Sequence, residues 1–153
     1  MAVFLSQHGK SAPKEIDPNR GLTEEGAAEV RRVASLLKQG GVSVAGIQHS
    51  GKYRAKQTAE IFAAALKLAK GVTACEGINP LDDVTVFATR LDAAVDHLYV
   101  GHLPFMQRLV SCLITGDPER SVVTFQNGGV VRLDYNDESM SWIIKWVLVP
   151  NLA

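Results

Sequence analysis

Gln7-His8-Gly9, Ser50 with Arg54, Glu76 and Gly101-His102 stand out because each follows a short apolar run that reads as a β-strand. Together they offer two imidazoles, a guanidinium and a carboxylate. A neutral imidazole nitrogen is a competent nucleophile near pH 7. Guanidinium groups and helix N-termini favour anions, tetrahedral phosphate above all. Between His49 and Thr58 the cations are Lys52, Arg54 and Lys56 with no acid among them, and Lys10 and Arg20 can add to the same edge. These residue types suggest the capture and transfer of a phosphoryl group.

The elements that must position them follow from hydrophobic period and punctuation. Residues 2–5 read as a strand buried on both faces, ended by the polar turn Ser6-Gln7-His8-Gly9. Residues 10–21, with Pro13 and Pro18, form a loop. Leu22, Val30, Val33, Ala34 and Leu37 share one helical face, with Thr23 as N-cap, Glu24 and Glu25 in the first turn, and Gly40-Gly41 as the stop. Residues 42–48 are a second strand leading into His49-Ser50-Gly51. A helix from 52 to about 70 carries Ala55, Ala59, Phe62, Leu66 and Ala69 inward, and residues 72–74 make a third strand.

Asp82 and Asp83 open a helix with Val84, Phe87, Leu91 and Val95 inward. Residues 97–100 are a fourth strand, and Pro104 stands in the first turn of a helix running through Leu113. Strand candidates at 121–125, 130–135 and 141–149 follow, with turns at Asn127-Gly128-Gly129 and Asn136-Asp137. Strand–helix alternation followed by hairpin strands predicts a three-layer α/β/α sandwich with a mostly parallel central sheet and an antiparallel C-terminal addition. With no repeat, low-complexity tract or linker, residues 1–153 read as one domain. Ligands of open α/β sheets bind beyond the carboxyl ends of the strands, so the chemical residues converge on one crevice.

The 16 Lys and Arg balance 16 Asp and Glu, which argues against nucleic acid as a partner held by a general basic field. The charges are sorted, however, with Glu24 and Glu25 on outer helical turns and cations around the crevice. No run reaches the ~18 apolar residues that span a bilayer, and residues 1–6 lack the features of a signal peptide. Cys75 and Cys112 have neither metal-ligand spacing nor the density of a disulfide framework, and read as buried thiols of a reducing compartment. The expected location is the cytoplasm, with no membrane partner, no metal and no cofactor.

Ser6-Gln7-His8-Gly9 resembles the Arg-His-Gly signature of the histidine phosphatase superfamily (phosphoglycerate mutase-like). Arg20-Gly21-Leu22-Thr23-Glu24-Glu25-Gly26 is similar to the Arg-x-Leu-Thr-x-x-Gly that follows it. His49-Ser50-Gly51-Lys52-Tyr53-Arg54-Ala55-Lys56-Gln57-Thr58-Ala59 is similar to Ser-Pro-x-x-Arg-Ala-x-Gln-Thr-Ala, and Val100-Gly101-His102-Leu103-Pro104 to the second-histidine motif. With the short chain, the likeness is to the phosphohistidine phosphatase branch. The resemblance implies that His8 is the nucleophile, forming a phosphohistidine intermediate that water hydrolyses. It implies that Arg54 and His102 hold the non-bridging oxygens, with Gln7, Gly9 and Ser50 around the phosphate. Glu76 falls where many relatives carry a proton donor, with Asp82 and Asp83 as competitors. The substrate implied is a phosphohistidine protein or a small phosphoester.

Gln7 departs from the family, whose arginine there gives a charged fork where Gln gives one neutral amide. Loss of a comparable donor costs about 3–4 kcal/mol, or roughly 10²–10³ in rate. Lys10 can restore some positive charge. The alternative to a phosphatase is a weakened relative that binds phosphorylated partners or anions. Ser50 is equally well read as a plain N-cap, Arg20 as a structural tie, and Lys52 and Lys56 as solvated. His49 and His97 read as structural. Trp142 and Trp146, four apart on a strand, are expected on one face as packing residues.

Overall fold

The computed structural model describes residues 2–152. Along the chain it contains β1 (Ala2–Gln7), α1 (Glu24–Gln39), β2 (Gly46–His49), α2 (Tyr53–Ala65), β3 (Val72–Ala74), α3 (Val84–Ala88), β4 (His97–Gly101), α4 (Phe105–Thr115), β5 (Val130–Asn136) and β6 (Ser141–Leu148). The strands form a six-stranded sheet in the order β3-β2-β4-β1-β5-β6. The first four neighbours are parallel, and β5 and β6 are the antiparallel addition. The expected α/β/α architecture is present.

Alternation along the central strands splits the core in two. Ala2 and Phe4 of β1 and Leu98 and Val100 of β4 pack with Val30, Val33, Leu37 and Phe62 of α1 and α2. Val3, Leu5 and Tyr99 pack on the opposite face with Phe87 of α3 and Phe105, Met106 and Leu109 of α4. Both strands are thus buried on two faces and held in register, and β1 and β4 end side by side with Gln7 opposite Gly101. α1 starts as expected, the Thr23 hydroxyl accepting from the Gly26 N–H at 2.9 Å. Gly26 has no room for a Cβ because the Lys10 carbonyl lies against it. This close approach clamps the chain just after His8.

Several boundaries move for local reasons. The strand expected at 42–48 is Gly46–His49, preceded by an isolated bridge from Val44 to Leu68. α2 stops at Ala65, because residues 66–71 turn back and the Ala69 and Lys70 N–H groups both donate to the Ala45 carbonyl. The helix expected from Asp82 through Val95 is only Val84–Ala88. Asp92 makes its own turn by accepting from Ala94 N–H at 2.8 Å, and this side-chain bond competes with helix continuation. Pro104 sits at the N-cap of α4 rather than inside the first turn.

Residues 121–125 are not a strand. Both neighbours of β1 are already β4 and β5, so this connection leaves the ladder and packs Val123 and Phe125 on the α4 side. The two tryptophans fall on opposite faces: Trp146 meets Phe4 at 5.9 Å between ring centroids, while Trp142 joins the α4 side beside Tyr135 at 5.2 Å. A bulge is the cause. Arg132 pairs with Trp146 but Leu133 with Ile144, so one extra β6 residue reverses the alternation. Cys75 and Cys112 are half-buried rather than buried.

Candidate functional site

His8 leaves β1 with its N–H on the Gly101 carbonyl at 3.0 Å and its carbonyl accepting from Asn127 Nδ2 at 2.9 Å. Its backbone is therefore fixed by β4 and by the segment before β5. The ring Nδ1 lies 2.7 Å from the Gly9 carbonyl. A carbonyl only accepts, so this nitrogen carries the proton. Nε2 is then the lone-pair nitrogen, and it accepts from Arg54 Nε at 3.2 Å.

Arg54 lies in the first turn of α2, whose N-cap Lys52 makes no side-chain cap and whose first turn has no acid. A cation there opposes the helix dipole, a placement that an anion would compensate. Thr58, fully buried one turn further on, ties the two halves of the site. Its hydroxyl donates to the Arg54 carbonyl at 2.8 Å and accepts from the Gly9 N–H at 3.0 Å. Gln57 Oε1 accepts from the Leu22 N–H at 2.7 Å, fastening the loop before α1 to the same helix. Thr58 and Gln57 stand outside the sequence-based site, although the Gln-Thr pair three and four residues after Arg54 was the available signal.

His102, just past β4, is only 2% exposed, and its ring centroid lies 5.0 Å from that of His8. Ser50 Oγ lies 2.6 Å from His102 Nε2, while Nδ1 is buried without a partner. A bare acceptor is less costly to bury than an unpaired N–H, so the proton belongs on Nε2, donated to Ser50. Ser50 is not the cap of α2, where Lys52 stands; instead its hydroxyl and the His102 N–H make a polar pair beside His8.

Burial pushes the His8 imidazole down to about 4, with the Arg54 and Arg20 charges adding to the effect. Burial pushes His102 lower still, to about 3, helped by His8, Arg54, Lys52 and Arg20. Both rings are thus neutral from about pH 5 upward, and neither needs deprotonation at neutral pH. NMR of 15N-labelled imidazoles should show His8 as the Nδ1–H tautomer without titration above about pH 5. A His8 midpoint near the ordinary 6.5 would mean that its ring is solvated and the described pocket wrong.

The remaining expected residues divide. Gly9 is buried behind His8. Gln7 is half-buried and lines a cleft of about 420 Å³ with Lys10, Glu29, Leu103, Phe125 and Asn127, a set that contains neither His8 nor Arg54. Lys10 does not stand in for the missing charge, since its ammonium faces Glu25 at 3.0 Å and Glu29 at 3.5 Å. Glu76 is exposed just after β3, and its carboxylate makes no hydrogen bond among the described residues. Its competitors are occupied: Asp82 accepts from the Asn79 N–H at 2.8 Å, and Asp83 caps α3 through Thr85. Among the described residues no group of three or more His, Cys, Asp or Glu side chains could hold a metal, and no helix is long and apolar enough to cross a membrane.

The profile of the histidine phosphatase superfamily (branch 1) matches residues 3–79. The chain is 29% identical to phosphohistidine phosphatase SixA of Escherichia coli K12 over 98% of its own length and 94% of that protein. It superposes on the structure of the protein histidine phosphatase SixA complexed with tungstate with a TM-score of 0.85, at 28% identity, covering 98% and 97% of the two chains. The α-ribazole phosphatase of Shigella flexneri shares the fold, with a TM-score of 0.72 at 16% identity over 100% of this chain and 98% of that one.

Proposed function

The chain belongs to the histidine phosphatase superfamily (branch 1) and is a phosphatase, and from that premise we propose that His8 is its nucleophile and phosphohistidine on a protein its substrate. The observation that carries this reading is the unprotonated His8 Nε2, 3.2 Å from Arg54 Nε and beside the His102 ring. Nε2 forms the bond to phosphorus as the bond to the leaving nitrogen breaks, in line on the opposite side. Arg54 and the Ser50 hydroxyl, whose oxygen takes the His102 Nε2–H, stabilise the non-bridging oxygens as charge redistributes, so that His102 acts through Ser50. Water then displaces His8, whose weak basicity makes it a good leaving group in that second step.

The leaving group favours phosphohistidine over a phosphoester. An imidazole departs near its pKa of ~6.5, whereas an alcohol needs a well-placed acid. Glu76 is the acid the family pattern offers for that role, and its exposed carboxylate is held by no hydrogen bond among the described residues. The same class of tetrahedral oxyanion is held by the SixA structure in its tungstate complex. A small phosphoester is the next substrate in line.

A phosphohistidine carrier domain should be dephosphorylated at least ~10²-fold more efficiently, by kcat/KM, than an aryl phosphate. Equal efficiency would remove the phosphohistidine assignment. Gln7 motivates the second reading, a binder of phosphorylated partners, for which the same assay would show tight capture of the carrier with no phosphate release.

A further inference from the structure

Position 7 gives the phosphate site no guanidinium, yet a second one is built into the loop before α1. Arg20 adopts φ +51°, a left-handed conformation that residues with a side chain rarely take. Asp17 holds it there, accepting from the Asn19 N–H at 3.0 Å and the Gly21 N–H at 2.9 Å, while the Arg20 N–H donates to the Asp17 carbonyl at 2.9 Å. Both Asp17 oxygens are thus engaged by amides. The turn is then pressed onto the start of α2. A Cβ at Gly21 would meet Tyr53 Cε1 at 3.1 Å and Gln57 Oε1 at 3.3 Å, and Gln57 also accepts from Leu22.

The exposed Arg20 guanidinium makes only two long bonds of 3.5 Å, to the Ala12 carbonyl and Ser11 Oγ. Among the described residues no carboxylate lies within 4.0 Å of it. Burial is the main cause that lowers His8, His102 and Arg54, and the Arg20 charge adds to it at all three, so its guanidinium lies within electrostatic reach of groups on three different segments. Two guanidinium groups that repel each other, one in a strained turn and neither neutralised by an acid, suit an anion placed between them.

We propose that Arg20 is the second phosphate-binding guanidinium of this site, supplying from the loop the charge that Gln7 does not. The proposal rests on the reading of the His8, Arg54 and His102 pocket as a phosphoryl site. Arg20 meets the phosphoryl group from the solvent side, so its loss weakens binding more than it slows the chemical step.

Arg20→Asn is the informative variant, since Asn tolerates the left-handed backbone while removing the charge. Calorimetric titration with inorganic phosphate should show its Kd at least ~10-fold above wild type. Arg20→Lys should fall between the two, and Ser11→Ala should match wild type. Gln7→Arg should recover most of the loss in the Arg20→Asn background, yet change wild-type affinity less than ~3-fold, a non-additivity that a merely structural Arg20 would not produce. With the carrier substrate, Arg20→Asn should raise KM more than it lowers kcat. Phosphate affinity within twofold of wild type in Arg20→Asn, or an equal gain from Gln7→Arg in both backgrounds, overturns the proposal. Either result leaves the phosphatase reading standing, whereas a wild-type protein that binds no phosphate overturns both.

Discussion

His8→Ala should abolish phosphate release from a phosphohistidine carrier, with kcat falling by ~10⁴-fold or more. The alanine removes the Nε2 lone pair, and nothing nearby replaces it. His102 is buried with its Nε2–H donated to Ser50, and the ring nitrogen facing Ser50, carrying that proton, cannot serve as its base. The fold should survive the change. The β1 end is held through backbone bonds, from His8 N–H to Gly101 and from Asn127 to the His8 carbonyl, which alanine keeps. Circular dichroism should therefore be unchanged while turnover is lost. A second signature separates nucleophile from bystander. Acid-free quenching of the wild type with labelled carrier should trap phosphate on the enzyme, and the variant should trap none. Full turnover by His8→Ala would sink the mechanism outright.

Arg54→Ala should cost roughly 10²–10³ in kcat/KM, the size of effect seen when a preorganised oxyanion donor is removed. Two contributions are lost together: the charge facing the phosphoryl oxygens and the Nε–H that orients His8 Nε2 at 3.2 Å. Arg54→Lys should recover only part of the rate, because a point charge cannot reproduce the planar fork. Stability should change little, since a cation in an uncapped first turn opposes the helix dipole and alanine is the better helix former there. Equal thermal midpoints with unequal rates are the expected result. Residues acting as a unit are not additive, so Arg54→Ala added to His8→Ala should lower the residual rate little further. A rate within threefold of wild type in Arg54→Ala would place the phosphoryl group away from α2.

The convergence of His8, Arg54 and His102 was legible because it needs only topology. Each follows a recognisable apolar strand, and parallel strands with helical crossovers bring their carboxyl ends to one edge. Thr23, with two glutamates after it, likewise marked the start of α1 through purely local chemistry. The errors came where a local pattern was outweighed by a distant or competing partner. Asp92 drew the chain into its own turn and cut α3 short, and residues 121–125 met a β1 already paired on both sides by β4 and β5. The four-residue spacing of Trp142 and Trp146 promised one face, but the bulge opposite Arg132 and Leu133 put them on two. Lys10 looked like a spare cation until Glu25 and Glu29 were seen to claim it.

By itself the sequence determined which chemical groups the protein has at its strand ends and which helices and strands carry them, because period, caps and turns are properties of neighbouring residues. Only the tertiary structure decided what state those groups are in. The proton on His8 Nδ1 follows from the Gly9 carbonyl, and the neutrality of both histidines follows from burial beneath segments far along the chain. Ser50 meets His102 across 52 positions. A pKa and a hydrogen-bond partner depend on desolvation and on charges within a few ångströms, and in this chain, the adjacent Gly9 carbonyl excepted, those are supplied by residues that sequence order keeps apart.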